Sequence, residues 1–278
     1  MKSSFLLSRR QALKTAALAA AGVWARGVLG APGGATVLQL GVASYSLARL
    51  SPEEVIAALK KINIRNVSLY KTHCPWGGTA DQCRAAAQKF RDAGLTVTGS
   101  GVINLPNDEG ALRKAFDNAR AAGLPTMICK PAKDAFPLVE KFVKEYDIRL
   151  AVHNHGPEDN VYPSPYDAWN AVQPYDRRIG LCIDVGHAAR AGADPVEAFR
   201  KCRERLYDVH LKDSLAMPGA LRDIPTEVGK GHLDIKGMIA ALVEIKYPHV
   251  VAFEYEKQSE DPVAGLAESV SYVRKLLG

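Results

Sequence analysis

The chain has no acidic residue before Thr36, no low-complexity tract and no Gly-rich phosphate turn behind its first strand-like run, where it reads GVASYSLARL. Each absence removes a reading. Without the phosphate turn, a doubly wound dinucleotide-binding sheet lacks its usual signature. Without biased tracts, and with 47% hydrophobic and 24% charged residues, the composition is that of an ordinary folded domain rather than a disordered one. The formal charge of +6 comes mostly from the acid-free start, where Lys2, Arg9, Arg10, Lys14 and Arg26 supply five positive charges and leave 31 basic and 30 acidic residues elsewhere. A near-neutral body offers no electrostatic case for nucleic acid or anionic lipid as a partner.

Cysteine is scarce and odd in number: Cys74, Cys83, Cys129, Cys182 and Cys202. Cys129 and Cys182 sit in strand-like runs and read as core residues. Cys74 and Cys83 lie in and just after a loop, close enough in sequence to pair in an oxidising compartment.

The first 35 residues do not read as part of the fold. Ser8-Arg9-Arg10-Gln11-Ala12-Leu13-Lys14 is a twin-arginine pattern, followed by the apolar run Thr15–Trp24 and a small-residue region through Gly30, Ala31 and Ala35. About ten apolar residues are too few for a bilayer core that needs about 20, so residues 1–35 are expected to be an export signal. The expected location is periplasmic, with membrane contact during export only, and residues 36–278 form the functional domain.

In that domain, β-type runs alternate with amphipathic runs. The expected strands are Val37–Ala43, Asn66–Tyr70, Thr96–Ser100, Thr126–Lys130, Arg149–His153, Ile179–Asp184, Leu206–His210 and Val250–Glu254. Ser51-Pro52, Thr79-Ala80-Asp81-Gln82, Asn107-Asp108-Glu109 and Asp194-Pro195 mark helix starts, and Gly94 and Gly123 mark helix ends. Eight such units in about 250 residues predict an α/β fold, a (β/α)8 TIM barrel in a single domain. The longest stretch without periodicity, Lys212–Asp234, is expected on the active rim.

The last four strands end on side chains that bind metals or move protons: His153 and His155, Asp184 and His187, His210, and Glu254. Strand alternation puts His153 on the face of Ala151, Asp184 on that of Cys182, His210 on that of Asp208 and Glu254 on that of Ala252, all inward if the apolar residues between them pack on helices. Mixed imidazole and carboxylate donors suit Mn, Zn, Co or Fe better than the hard cations Ca and Mg.

The order of a fifth-strand ligand, DxxH, HLKD and FEYE resembles the sugar phosphate isomerase/epimerase superfamily, the xylose isomerase-like TIM barrels that include ketose 3-epimerases, inosose dehydratase and endonuclease IV. The resemblance spans Val37–Gly278. It implies one divalent metal ion held by His153, Asp184, His210 and Glu254, with His155 as the alternative at the first of these positions. In the epimerases that first ligand is Glu, so His153 brings the site to neutrality and removes one base. Glu254 is then the expected proton acceptor beside a carbonyl, with His155 or His187 returning or donating a proton. Tyr45, His73, Lys130 and Lys212 are expected to contact substrate.

The implied substrate is a small sugar or keto-sugar and the implied reaction isomerisation or epimerisation. The alternatives are a lyase or hydratase acting on keto-glycosides and a non-catalytic carbohydrate-binding barrel. Endonuclease IV is echoed at His73-Cys74-Pro75-Trp76 and Arg222-Asp223, but Asn104 and Pro225 stand where it needs histidines, which excludes its three-zinc cluster and, with the near-neutral charge, a nucleic-acid substrate. Oligomeric state leaves no mark in the sequence.

Overall fold

Short apolar runs of β-branched and aliphatic residues alternate with capped helices from one end of the domain to the other. A computed structural model describes residues 38–278; Val37 and the export-signal reading of residues 1–35 lie outside the described residues. The elements are β1 Gln39–Ala43, α1 Pro52–Lys61, β2 Asn66–Leu69, α2 Ala80–Asp92, β3 Thr96–Ser100, β4 Ile103–Leu105, α3 Glu109–Ala121, β5 Thr126–Pro131 and α4 Phe136–Tyr146. They continue with β6 Arg149–His153, α5 Pro165–Val172, β7 Ile179–Asp184, α6 Val185–Arg190, α7 Pro195–Cys202, β8 Leu206–Leu211, β9 Asp213–Ser214, β10 Pro225–Thr226, α8 Ile235–Glu244, β11 Val250–Phe253 and α9 Pro262–Leu277.

The main sheet runs β3-β2-β1-β11-β8-β7-β6-β5-β4, and every pair in it is parallel. Its two ends are consecutive pieces of one strand, broken at Gly101-Val102: β3 pairs with β2 and β4 with β5. The seam is stitched by Ser100, whose hydroxyl donates to the Ile128 carbonyl at 3.2 Å and accepts from the Ile128 amide at 3.0 Å. Nine segments thus fill eight positions of an α/β TIM barrel. The expected third strand, Thr96–Ser100, is β3 itself, and the further segment β4 arises because Gly101 and Val102 turn the chain from one neighbour to the other.

Helix entry follows local chemistry. Ser51 with Glu54 and Thr79 with Gln82 form reciprocal capping boxes, and Asp108 and Asp194 cap α3 and α7 through their side chains. Ser164 with Asp167 makes a third box, at α5. Gly94 and Gly123 take positive φ at helix ends, as expected. The two faces of the strands separate cleanly. Val42, Val67, Leu150, Val152, Leu181, Ile183, Val209 and Phe253 join one core shared with the helices, whereas Ile128, Ala151 and Cys182, and separately Ala43, Val250 and Ala252, pack inside the barrel. Small residues inside leave room at the rim for larger polar ones. All five cysteines are buried and free, Cys74 and Cys83 included.

After β8 the long connection carries the antiparallel β9–β10 pair and is tied down by acids. Asp213 accepts from the amides of Gly229 and Gly231, each at 2.9 Å. Glu227 accepts from the Tyr255 hydroxyl at 2.8 Å and from Lys257 at 2.9 Å. Burial alone would raise the Glu227 carboxyl, but Lys257 and Tyr255 outweigh it and bring it down to about 2. An acid more easily ionised in the folded chain stabilises the fold above its unfolded value near 4.5, and that stabilisation disappears as pH falls towards 2. Glu227→Gln should therefore unfold more easily than the parent at pH 6, by ~1–2 kcal/mol in urea titrations, with the gap closing towards pH 2.

Candidate metal centre and pocket

Four side chains from the C-terminal ends of β6, β7, β8 and β11 meet in one buried cluster. His153 is the last residue of β6, Asp184 the last of β7, His210 lies in β8, and Glu254 follows β11 with its amide bonded to the Leu211 carbonyl at 3.0 Å. One ligand atom from each lies within 4.8 Å of the other three. His153 Nε2 is 3.1 Å from His210 Nδ1 and 3.5 Å from Asp184 Oδ2, and His210 Nδ1 is 3.1 Å from Glu254 Oε2. A tetrahedral ion with bonds near 2.0–2.2 Å separates its donors by about 3.4 Å, so these spacings suit a transition-metal ion. Asp184 Oδ2 is fully buried, and the Lys212 ammonium at 2.8 Å and His153 Nε2 at 3.5 Å meet it out of hydrogen-bond alignment, so this oxygen is free to fill a coordinating role. His155, two residues beyond His153, lies outside the cluster.

The protonation of the cluster follows from its depth. Burial holds His153 neutral, down to about 3. Burial works the same way on His210, but Cys182 and Glu254 overcome it and take that imidazole well above its usual range. Cys182 is itself pushed up to about 12 by burial, a neutral thiol, so Glu254 is the anion on which a charge at His210 depends. Burial also opposes ionisation of Glu254 and Asp184, yet His210 and Lys212 beside the first, and His187 and Lys212 beside the second, keep both carboxyls well below the ordinary range.

Lys212 is buried beside this cluster, with 2% of its side chain exposed. Its Nζ is 2.8 Å from Asp184 Oδ2, 2.9 Å from Glu254 Oε2 and 3.0 Å from Glu256 Oε1. Burial pushes Glu256 up to about 7 against the pull of Lys212. Gly186 makes this arrangement possible, since a Cβ there would lie 2.7 Å from the Cγ and Cδ of Lys212.

Above the cluster a cavity of about 230 Å³ opens to the rim, lined by Ala43, Ser44, Tyr45, Ser68, Tyr70, Gly101, Val102, His153, His155, His187, His210, Glu254 and Glu256. Tyr45 stands 40% exposed at its mouth, edge-on to Tyr70. Of the other expected substrate contacts, Lys212 is buried against the carboxylates and does not line the cavity, and Lys130 is paired with Asp159. His73 corrects the expectation. Its ring is buried, with Nδ1 on Ser44 Oγ at 2.8 Å and Nε2 on the Leu50 carbonyl at 3.1 Å, so no nitrogen remains for a substrate.

Several wall and support residues were not anticipated. Glu256 shares the strand face of Glu254 by simple alternation, and Arg190 is one helical turn beyond His187, so both were within reach of pattern reading. Ser44, Ser68 and Tyr70 carry no such signal, because they come from the ends of strands whose sequences hold no metal-binding side chain.

Comparison with known proteins agrees with this architecture. The chain is 28% identical over 152 residues to a probable endonuclease 4 of Thermoplasma volcanium, covering 50% of this chain and 52% of that protein. It thus spans about half the length of the curated relatives it matches. Among solved structures it resembles the 3-keto-D-glucoside 4-epimerase of E. coli, with TM-score 0.70 and 13% identity over 86% of this chain and 100% of the other. It also resembles the IolI protein, solved with a zinc atom, with TM-score 0.72 and 14% identity over 86% and 98%. At these identities the structures establish the fold alone. The family model for the xylose isomerase-like TIM barrel matches residues 43–276, nearly the whole described domain, and the chain belongs to that family.

Proposed function

We propose that the protein is a divalent-metal-dependent enzyme of the isomerase or epimerase type, acting on a sugar or keto-sugar by moving a proton at a carbon next to a carbonyl. The convergence of His153, Asp184, His210 and Glu254 at the floor of an open pocket carries this reading. The epimerase and the zinc-containing protein among its structural relatives support it. When bound, the ion would supply Lewis-acid polarisation of the substrate oxygen.

The chain's own groups divide the remaining work. Asp184 and Glu254 stay ionised and would hold the ion, while Lys212 offsets their charge. The carboxylates Glu254 and Glu256, on the β11 side of the pocket, accept the carbon-bound proton. His155 and His187 face them from β6 and α6 and meet the substrate oxygens. Tyr45 and Tyr70 give the mouth an apolar wall on which a sugar face can rest. The cavity suits a single sugar unit better than a polymer.

We also place the mature protein outside the cytoplasm, on the strength of Arg9-Arg10 and the short apolar run after it. Replacing Arg9 and Arg10 together by lysine should leave the full-length chain in the cytoplasmic fraction.

Metal analysis of the purified protein should find one transition-metal ion per chain. Removing it should lower the stability by ~2–3 kcal/mol relative to protein held at 100 times the dissociation constant, and Asp184→Asn should bind at least tenfold more weakly. With a panel of sugars and keto-sugars in deuterated water, the loaded protein should incorporate deuterium at the carbon next to the carbonyl. Glu254→Gln should abolish both this exchange and metal binding, whereas Glu256→Gln should keep the metal and lose about 10²–10⁴-fold in kcat. A metal-free protein whose behaviour is unchanged by Glu254→Gln would overturn the enzymatic reading in favour of a carbohydrate-binding barrel. Elimination products without exchange would make it a lyase.

A further inference from the structure

His155 and His187 face each other across the pocket with ring centroids 6.1 Å apart and planes 26° from parallel. Their surroundings differ in a way that fixes where each carries its proton. His155 Nδ1 lies 3.2 Å from the His153 carbonyl oxygen and 3.5 Å from Asp159 Oδ2. A carbonyl oxygen only accepts, so Nδ1 bears the hydrogen and Nε2 is the bare nitrogen. Lys130 and the Val161 and Tyr162 amides bind Asp159 in turn, which keeps that carboxylate in place.

His187 is arranged the other way round. Arg190 Nη2 approaches its Nδ1 to 2.7 Å, and a guanidinium has no lone pair to offer, so Nδ1 must accept. The hydrogen of the neutral ring is then on Nε2, which stands 4.0 Å from Asp184 Oδ2 on the pocket side. Arg190 cannot swing away. Only 1% of its side chain is exposed, Glu158 grips it through two contacts at 2.9 and 2.7 Å, and it donates to the Ala220 carbonyl at 3.0 Å. Gly156, at φ +90°, leaves the space it fills: a Cβ there would come within 2.7 Å of Arg190 Nη2.

We propose that His155 and His187 are a matched pair of opposite tautomers, His155 presenting a bare Nε2 that accepts a hydrogen bond and His187 an Nε2–H that donates one, with Arg190 as the positioning residue for the second. The consequence for the proposed reaction, on which this division of roles rests, is specific. His187 donates to a substrate oxygen, and His155 accepts a hydrogen bond from a substrate hydroxyl at Nε2 while the His153 carbonyl and Asp159 hold its Nδ1–H. A polyhydroxy substrate with two neighbouring oxygens fits this pair.

The assignment can be read without any substrate. Full-length protein labelled with ¹⁵N-histidine, with zinc added, should show long-range proton–nitrogen correlations of an Nδ1–H tautomer for His155 and an Nε2–H tautomer for His187, the signals being identified with His155→Asn and His187→Gln. Arg190→Met should convert the His187 pattern to a mixture or to the other tautomer and leave His155 as it was, while Arg190→Lys, which still only donates, should retain the wild-type pattern. Should Arg190→Met fail to fold, Glu158→Gln, which loosens the guanidinium, should disturb His187 alone. An Nδ1–H signature for His187 in the parent protein, or a His187 pattern indifferent to these substitutions, would overturn the proposal. Loss of the sugar reaction with both tautomers as assigned would instead count against the proposed activity.

Discussion

Three carboxylates, an ammonium and two imidazoles share a volume from which water is largely excluded, and the barrel has to hold them there against the cost of desolvating each one. Asp184, Glu254 and Glu256 would repel one another without Lys212, and Lys212 would be an isolated buried cation without them. The convergence of His153, Asp184, His210 and Glu254, with donor atoms within 4.8 Å of one another, is what suits the cluster to a metal ion. It also explains why the strands must be parallel: only then do β6, β7, β8 and β11 end at the same height and bring residues a hundred positions apart to one point.

His153 sets the balance of this site. With a carboxylate in its place the cluster would hold one more negative charge, and an ion bound there would be better compensated and a weaker Lewis acid. An imidazole held neutral by burial donates to the ion without that cost. Glu256 and His155 line the cavity above this floor.

Much of this was legible in the chain, and what was not has identifiable causes. Strand positions and helix caps are local, so Ser51-Pro52 and Thr79 with Gln82 announced α1 and α2 without any knowledge of the fold. The four cluster residues were legible because alternation along a strand fixes a face. The break between β3 and β4 was not, since it depends on two different neighbours competing for one strand. His73 misled for a similar reason: its ring is satisfied by Ser44 and the Leu50 carbonyl, partners that only the folded barrel supplies. Arg190 stands at a readable spacing from His187, but Glu158, which locks it, lies in an irregular loop whose path no pattern predicts.

The seam in the barrel has a further meaning. Between β3 and β5 the side chain of Ser100 stands in for a backbone ladder, and the two residues that follow it, Gly101 and Val102, are also part of the pocket wall. The third strand thus changes partner at the very point where it supplies pocket wall, on a side of the barrel that contributes none of the four cluster residues.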